Sequence, residues 1–493
     1  MRCAFVYPPD TRGGKTPLLG QNRQFKYTHS RQIKIYPLIP AHTVTNLKNS
    51  GHEVLFLDGI NRNMTYGGFS GKLDEFSPDM IIIETKAPII KKHRHFINEF
   101  KQKHPGVKTV ITGDHVSFFP EEIMAECGVD YAVCGGDYDV SITKLAGWIE
   151  GKNKIPEGVY YRAEDGIKNS GPPLRHDNLD ALPFIDRETT NWKIYGEAYL
   201  LRPAAYILTG RGCGRENGNE YSCETGGICT FCIWQHAFWQ KKARLRTPFN
   251  VAEEIEILVK KYGVYEIFDD NESGALWSTR WLEEFLIETE KRKLKGKFRM
   301  SSNARAEDLT EKKCGLMKKT GYRLLKVGME SGNNLTLEKI GKLESIEVIK
   351  ENIKRAKRYG FKILMTMMAG YPWESEDDVN RTYETAKELM LYRTHFGDSL
   401  QASIVMPYPG TPLYKQAEKE GLLTAAGKNY EKMDMEHDIL KSEIDTSYWC
   451  RKMWNIHKHP VFLLKSLLSI RSPEEIDLAF RGVKSLLGHT KDY

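Results

Sequence analysis

Short apolar runs alternate with amphipathic stretches through the first part of the chain. The runs CAFVYPP, HEVLFLD, PDMIIIETK, VKTVITGD and VDYAVCGG read as strands, and helical patterns stand between them over residues 43–50 and 91–103. Apolar strands separated by helices are typical of a doubly wound parallel sheet. The pattern therefore predicts a flavodoxin-like (Rossmann-type) α/β domain over residues 1–148, with its ligand site at the carboxyl ends of the strands.

The composition of the sequence changes after residue 148. Residues 149–200 are rich in Pro and Asp and predict an ordered linker, in which YYRAEDGIKN forms a small hairpin around an Asp-Gly turn. Strands and helices then alternate again, and about six β/α units predict a partial parallel barrel over residues 201–425. Residues 426–493 show a helical pattern without strands and predict a helical C-terminal cap.

One helix of the second series has clear end signals. Asn250 is its predicted N-cap, because Glu253 stands three residues later at the capping-box position. Gly263 is its predicted end, since glycine adopts the left-handed conformation that closes a helix.

Composition narrows the class of protein. The 493 residues carry a formal net charge of +7 with acidic and basic residues interleaved, which does not indicate a nucleic-acid partner. No apolar run approaches the roughly 20 residues that cross a bilayer, so no membrane span is predicted. The N-terminus lacks a signal-peptide pattern, and nine cysteines do not suggest a disulfide framework. We therefore expect a cytoplasmic location and reduced thiols.

Four cysteines lie close together after the first predicted barrel strand: Cys213, Cys223, Cys229 and Cys232. Cys229 and Cys232 form a C-x2-C pair, which presents two sulfurs to one metal centre. All four could bind a structural zinc ion. The end of a barrel strand, however, is where such folds place their chemistry, and this favours a reactive iron–sulfur cluster.

The residues around these cysteines resemble the cobalamin-binding class of the radical S-adenosylmethionine (SAM) superfamily. Arg211-Gly212-Cys213 and Cys229-Thr230-Phe231-Cys232 match both ends of its cluster motif, but fifteen residues instead of about three separate Cys213 from Cys229. The first ligand is therefore open between Cys213, which keeps the spacing to the strand, and Cys223. The resemblance implies that three thiolates hold a [4Fe–4S] cluster, which cleaves SAM to a 5′-deoxyadenosyl radical.

The resemblance also implies a SAM site at the ends of later barrel strands. It assigns contacts with SAM to Asp270, Asn271, Glu330, Ser331 and Lys342. Two alternatives stay open: Asp270 and Asn271 could be part of a helix cap, and Lys342 could be a solvated residue at a helix end.

In the N-terminal half the resemblance implies cobalamin. Its contacts would come from three strand-end loops, which hold Thr85, Gly113, Asp114, His115, Gly135 and Gly136. The Asp-x-His-x-x-Gly motif that supplies a lower histidine ligand in many cobalamin proteins is missing, because residues 7–13 read YPPDTRG. The cobalt is expected to lack a histidine from that loop. The alternative is a domain that has kept its fold and lost the cofactor.

The function that this resemblance implies is methylation of an unactivated carbon, with one SAM as methyl source and a second as radical source. The substrate is unknown and could be a peptide or protein residue. An electron donor such as flavodoxin or ferredoxin and sensitivity to oxygen are expected. The alternatives are a cyclase or oxidoreductase of the tetrapyrrole or lipid type with the same cofactors, and a zinc-stabilised binding protein.

Overall fold

The structure is a computed structural model and describes residues 1–20, 24–29, 33–216, 221–224 and 229–489. The N-terminal half is built on a seven-stranded sheet in the order β4-β1-β5-β6-β7-β8-β9. Its strands are β1 (Arg2–Tyr7), β4 (Glu53–Asp58), β5 (Met80–Thr85), β6 (Lys108–Gly113), β7 (Tyr131–Val133), β8 (Val159–Ala163) and β9 (Gly166–Asn169). Strands β2 (Thr16–Pro17) and β3 (Tyr27–Thr28) form a separate pair.

The first five strands of this sheet are parallel, in the flavodoxin-like order that the sequence predicts. The predicted hairpin is β8–β9, but it is not confined to a linker. Ala132 of β7 pairs antiparallel with Tyr160 of β8, so the hairpin extends the N-terminal sheet.

Helices cover both faces of this sheet. They are α1 (Leu38–Asn49), α2 (Tyr66–Phe76), α3 (Ile90–Lys103), α4 (Asp114–Phe118), α5 (Pro120–Glu126) and α6 (Tyr138–Ile149). Helix α1 begins five residues before the predicted position 43, because Leu38, Ile39 and Ala41 are buried against the core and extend its apolar face.

The C-terminal half is built on six parallel strands that pair in chain order. They are β10 (Ala204–Ile207), β14 (Glu266–Asp269), β15 (Arg299–Ala304), β16 (Tyr322–Glu330), β17 (Lys362–Ala369) and β18 (Ser399–Ile404). This confirms the predicted partial (β/α)6 barrel. A small antiparallel sheet stands at its entrance: β11 (Gly210–Arg211), β12 (Ser222–Cys223) and β13 (Ala243–Leu245).

The helices of this half are α7 (Ile233–Ala237), α8 (Pro248–Tyr262), α9 (Thr279–Lys291), α10 (Glu311–Thr320), α11 (Asn334–Lys339), α12 (Ile346–Arg358), α13 (Glu376–Leu391) and α14 (Pro412–Lys419). The predicted N-cap of α8 was wrong. Thr247 Oγ1 accepts the Asn250 amide, and Pro248 occupies the first helical position, where its missing N–H costs nothing. Gly263 ends the helix in the left-handed conformation, as predicted.

Three more helices complete the chain: α15 (Thr446–Trp454), α16 (Pro460–Leu468) and α17 (Pro473–His489). Helix α15 packs against β17, β18 and α13, and α16 packs against α13. Within the ranges described, no helix combines the length and apolar character needed to cross a bilayer.

The two halves share one hydrophobic core. Side chains from one face of the N-terminal sheet and from the barrel belong to a single buried cluster. Tyr36 stacks on Tyr206 with ring centroids 6.2 Å apart, and Tyr138 meets Phe238 edge to face at 6.2 Å. This continuous packing holds the loops at the carboxyl ends of the N-terminal strands against the start of the barrel.

Candidate active site

The three preferred cluster cysteines lie at the mouth of the barrel. Cys213 follows β11, and Cys229 and Cys232 precede α7, with the Cys232 amide donating to the Cys229 carbonyl at 3.1 Å. All three are partly exposed, unlike the other six cysteines, which are buried. Parts of the loop between them, residues 217–220 and 225–228, fall outside the description. The geometry thus gives partly accessible thiols at the end of the first barrel strand.

Basic side chains surround the thiols. Arg305 donates from Nη1 to Cys213 Sγ at 3.8 Å. Burial raises the pKa of Cys229 to about 11, while Lys342 and Arg305 act in the opposite direction. Burial and then the charge of Cys229 raise the pKa of Cys232. Three thiols that interact electrostatically next to two cations fit the binding of an anionic thiolate cluster.

In the described residues, no group of three or more His, Cys, Asp or Glu side chains is arranged to hold a metal ion, and this is true for zinc and for an iron–sulfur cluster alike. Cys223 is buried in β12, where it pairs with Ala243 of β13, whereas Cys213, Cys229 and Cys232 are partly exposed. The preference for an iron–sulfur cluster rests on the position of these three thiols at the end of a barrel strand.

Asp270 and Asn271 lie directly after β14, and both are completely buried. Asn303 Nδ2 contacts this turn, at 2.8 Å from the Asn271 carbonyl and 3.3 Å from Asp270 Oδ1. The amide group of Asn271 has no hydrogen-bond partner among the described atoms on either its nitrogen or its oxygen. A buried amide without partners at a strand end is suited to a polar ligand.

The helix-cap alternative for these two residues was wrong. The short helical turn that follows begins after Ser273, and the next helix is capped by Ser278, whose side chain accepts the Trp281 amide. The side chain of Asn271 takes part in neither cap, although its carbonyl accepts the Gly274 amide at 3.3 Å.

Glu330 and Lys342 form a buried charge cluster with Glu344. Lys342 Nζ lies 3.6 Å from Glu330 Oε1 and 3.4 Å from Glu344 Oε2. Although burial opposes it, the two carboxylates raise the pKa of Lys342, so the side chain is a cation at neutral pH. Glu330 has a φ of 63°, in the left-handed region that is strained for a residue with a side chain. Lys342 is only 5% exposed, so the solvated-lysine alternative was wrong.

Two residues of this site were missed by sequence reasoning. Glu344 orders the loop through the Glu307 amide as well as Lys342, and Arg305 donates to the Lys342 carbonyl at 3.1 Å. The position of Arg305 directly after strand β15 could have indicated it.

Ser331 directly follows β16. Its hydroxyl lies 3.3 Å from Glu374 Oε1 and 3.4 Å from Thr382 Oγ1, inside the protein. Burial raises the pKa of Glu374 to about 7. Ser331 thus belongs to a buried polar network at the strand ends, and its contact with SAM stays a prediction.

The first two predicted cobalamin loops meet at the ends of β5 and β6. Gly113 has a φ of 128°, and a Cβ there would stand 2.1 Å from the Thr85 carbonyl oxygen, so only glycine permits this approach. Thr85 Oγ1 lies 2.9 Å from His93 Nδ1, and Lys86 Nζ lies 3.7 Å from Asp114 Oδ2. These loops form one continuous polar edge.

His115 stands beside this edge. Both ring nitrogens are buried without a hydrogen-bond partner in the described structure, and the ring packs edge to face on Tyr430 with centroids 4.6 Å apart. Burial lowers the pKa of His115 to about 3, so the imidazole is neutral. A neutral, unpartnered imidazole can accept or donate a hydrogen bond to a ligand.

The third predicted loop faces the barrel instead of solvent. The Gly136 amide donates to the Phe238 carbonyl at 3.1 Å, and a Cβ on Gly136 would lie 2.3 Å from the Trp239 ring. A Cβ on Gly135 would lie 2.7 Å from Pro173. These glycines therefore serve close packing between the two halves, and their contact with cobalamin stays a prediction.

A buried charge network ties the same loop to the cluster segment. Asp139 receives two hydrogen bonds from Arg211, at 3.0 and 2.7 Å, and Asp137 bridges Arg211 at 2.5 Å and Arg244 at 2.7 Å. All four side chains are at most 2% exposed. Despite burial, the two arginines lower the pKa of Asp137. The residue two positions before Cys213 is thus fixed to the N-terminal domain.

Trp239 and Glu272 extend this network. The guanidinium groups of Arg211 and Arg244 lie 5.9 and 5.8 Å from the Trp239 ring centre. Trp239 Nε1 donates to one oxygen of Glu272 at 2.5 Å, and the Gly212 amide donates to the other at 2.8 Å. Of the two residues before Cys213, Arg211 is therefore held by the N-terminal half and Gly212 by Glu272 of the barrel half.

Comparisons with known proteins agree with this geometry. Residues 222–386 match the model of the radical SAM superfamily. An uncharacterized methyltransferase of Pyrococcus horikoshii is 25% identical over 405 residues, which cover 82% of each chain. The anaerobic magnesium-protoporphyrin IX monomethyl ester cyclase of Rubrivivax gelatinosus is 25% identical over 396 residues, which cover 77% of this chain and 66% of the cyclase.

Among solved structures, the radical SAM methyltransferase TsrM from Kitasatospora setae, with cobalamin and a [4Fe–4S] cluster bound, aligns over 99% of both chains with a TM-score of 0.66 and 16% identity. At that identity the similarity shows the fold, and it confirms the predicted fold class. Residues 222–386 thus match the radical SAM superfamily, and the whole chain has a fold similar to that of a solved radical SAM methyltransferase with cobalamin and a [4Fe–4S] cluster bound.

Proposed function

We propose that the protein is a cobalamin-dependent radical SAM methyltransferase that holds a [4Fe–4S] cluster through Cys213, Cys229 and Cys232. The observation that carries this proposal is the junction of the two halves. The cluster segment is bound directly to the N-terminal domain through Arg211 and its two aspartates, at the carboxyl ends of both sheets. Two cofactors bound at these strand ends would share one reaction space.

The chain's own residues supply charge and orientation for this chemistry. When bound, the cluster provides the electron that cleaves SAM, and cobalamin carries a methyl group. Arg305 and Lys342 compensate the negative charge of the thiolates. Both lie within the charged surroundings of Cys229, and Arg305 reaches Cys213.

The SAM-binding residues offer complementary groups. Lys342 is a buried cation that can pair with the methionyl carboxylate, and Glu330 can accept hydrogen bonds from ribose hydroxyls. The unpartnered amide of Asn271 can both donate and accept. These roles rest on the positions of the side chains at the barrel strand ends.

Cobalamin would lie along the edge formed by Thr85, Gly113, Asp114 and His115, opposite the cluster segment. Helix α4 begins at this edge and packs on α7. Helix α7 begins directly after Cys232. The contact between these two short helices supports the proximity of the two cofactor sites. An external one-electron donor such as flavodoxin or ferredoxin would reduce the cluster, and the substrate would be a peptide or protein residue.

A single-turnover experiment tests the proposal without a known substrate. The enzyme is reconstituted without oxygen with iron, sulfide and hydroxocobalamin, reduced, and given SAM. We expect S-adenosylhomocysteine in an amount equal to the bound cobalamin, together with 5′-deoxyadenosine. A protein that forms neither product would contradict the proposal.

A cyclase is the second candidate. The observation in its favour is the Rubrivivax gelatinosus cyclase, whose identity to this chain equals that of the methyltransferase relative. The same experiment separates the two, since a cyclase that uses SAM only as a radical source would form 5′-deoxyadenosine and no S-adenosylhomocysteine.

A further inference from the structure

The C-terminal segment carries an apolar surface that the described residues leave uncovered. Five large apolar side chains of α16 are exposed, by 42 to 67%: Val461, Leu463, Leu464, Leu467 and Leu468. At about 100° per residue these positions occupy the side of the helix opposite Phe462, which is buried. We name these five side chains the leucine face. Surface helices normally present polar residues on that side.

Helix α17 adds two exposed apolar residues. Ile476 is 50% exposed and Phe480 is 69% exposed, and their spacing of four places them on one side of the helix. Large exposed apolar surfaces on a soluble fold usually mark an interaction site.

The charge of the segment around the leucine face is of one sign. Residues 448–471 contain no Asp or Glu but five basic residues: Arg451, Lys452, Lys458, Lys465 and Arg471. In the described structure none of these five side chains forms an ion pair with a carboxylate, so their charges are not neutralised within it. A leucine surface flanked by uncompensated positive charge calls for a partner that is both apolar and anionic.

The basic residues also line a groove. A cavity of about 290 Å³ is bordered by Tyr383, Tyr448, Arg451, Lys452, Lys458 and His459. Lys452 Nζ lies over the Trp449 ring at 4.1 Å from its centre, which holds the ammonium group on the surface. His459 belongs to the same groove and directly precedes α16.

We propose that residues 448–480 bind the surface of an anionic lipid bilayer. The leucine face would enter the boundary between headgroups and acyl chains, and the basic side chains would contact lipid phosphates. A short helix with a broad apolar side and flanking Lys and Arg is typical of such interfacial attachment. The attachment is peripheral, consistent with the absence of a spanning helix from the described residues.

A second copy of the chain fits this surface less well. A two-fold contact through the leucine face would bring each basic patch close to its own copy, and like charges would repel. In an anionic bilayer the phosphate headgroups would neutralise the basic side chains, and the acyl chains would supply an apolar layer for the leucine face. The proposal is independent of the reaction, because no residue of this surface belongs to the candidate active site.

Vesicle sedimentation with the purified, cofactor-loaded enzyme tests the proposal. We expect binding to vesicles that contain phosphatidylglycerol, weak or no binding to pure phosphatidylcholine vesicles, and weaker binding at high salt. The double variant Leu464→Glu/Leu468→Glu should lose binding. Lys458→Glu with Lys465→Glu should lower affinity by about fivefold or more for each lysine removed.

The matched control is Val348→Glu, which changes an apolar residue that is 44% exposed on the outer helix α12. It should bind vesicles like the unchanged enzyme. Light scattering in solution gives the molar mass in parallel, and circular dichroism checks that each variant folds. Three results would overturn the proposal: equal binding to neutral and anionic vesicles, no binding to anionic vesicles, or a dimer that dissociates in the leucine variants. SAM cleavage reports separately on the proposed function.

Discussion

Among single residues, substitution of the cysteines tests which of them bind the cluster. Cys213→Ala and Cys232→Ala should each abolish SAM cleavage, because a cluster with two protein thiolates is not held at the barrel mouth. Cys223→Ala should keep iron and SAM cleavage near the level of the unchanged enzyme, since Cys223 is buried in β12 whereas the three preferred ligands are partly exposed. Iron content and 5′-deoxyadenosine formation are the measurements. The reverse result for Cys213 and Cys223 would exchange their roles.

Glu374 gives a prediction about pH. Burial raises its pKa from 4.5 to about 7, so the folded protein holds a proton that the unfolded chain releases between these values. The contribution of this group to stability is therefore present below about pH 4.5 and is lost as pH rises through 7, by roughly 3 kcal/mol at most.

The variant Glu374→Gln cannot titrate and should remove that loss. We expect the difference in unfolding free energy between the variant and the unchanged protein to shift in favour of the variant as pH rises from 5 to 8. Urea unfolding at several pH values measures it. A difference that stays constant across this range would show that Glu374 is ionised throughout.

At the scale of elements, the charge network holds the end of β11 to the start of α6. Arg211 donates two hydrogen bonds to the buried carboxylate of Asp139. The variant Asp139→Asn removes the negative charge of this ion pair, and we expect the free energy of unfolding to fall by about 3–5 kcal/mol. The loss should also displace the cluster segment. We expect iron content and SAM cleavage to fall by more than the unfolded fraction explains.

The control for this variant is Asp398→Asn. Asp398 pairs with Lys357 at 3.0 Å, and both are at most 1% exposed, at the opposite end of the barrel before β18. It should lower stability by a similar amount and leave iron content per folded molecule unchanged. Equal effects of both variants on iron content would mean that the network is purely structural.

At the scale of the whole molecule, cobalamin tests the junction of the two halves. Residues 7–13 contain no histidine, His93 is bonded to Thr85, and His115 packs on Tyr430. We expect that neither a histidine nor the cofactor's own base binds the cobalt, so the enzyme loaded with cobalamin and reduced to the cob(II) state should show an electron paramagnetic resonance spectrum without nitrogen superhyperfine splitting. His115→Gln is the control, and a splitting that disappears in this variant would identify His115 as a ligand. Failure to retain cobalamin would remove the methyltransferase proposal.

The sequence by itself determined the two parallel sheets and the position of the cysteines at a strand end. Both depend on local patterns: buried parallel strands read as apolar runs, and chain order sets which strand end carries which loop. The strand-end positions of Asn271 and Glu330 could be predicted in the same way. The helix start at Thr247 could not, because Thr247 and Asn250 can both cap a helix and only the backbone geometry distinguishes them.

The tertiary structure decided how the two halves meet. Asp137 and Arg211 are far apart in the chain, and nothing in either local sequence indicates that they pair. The same holds for Gly136, whose close approach to Trp239 is not visible in either local sequence. Burying four charges is favourable only when partners from distant segments satisfy them together, so this network exists only once both domains have folded and packed.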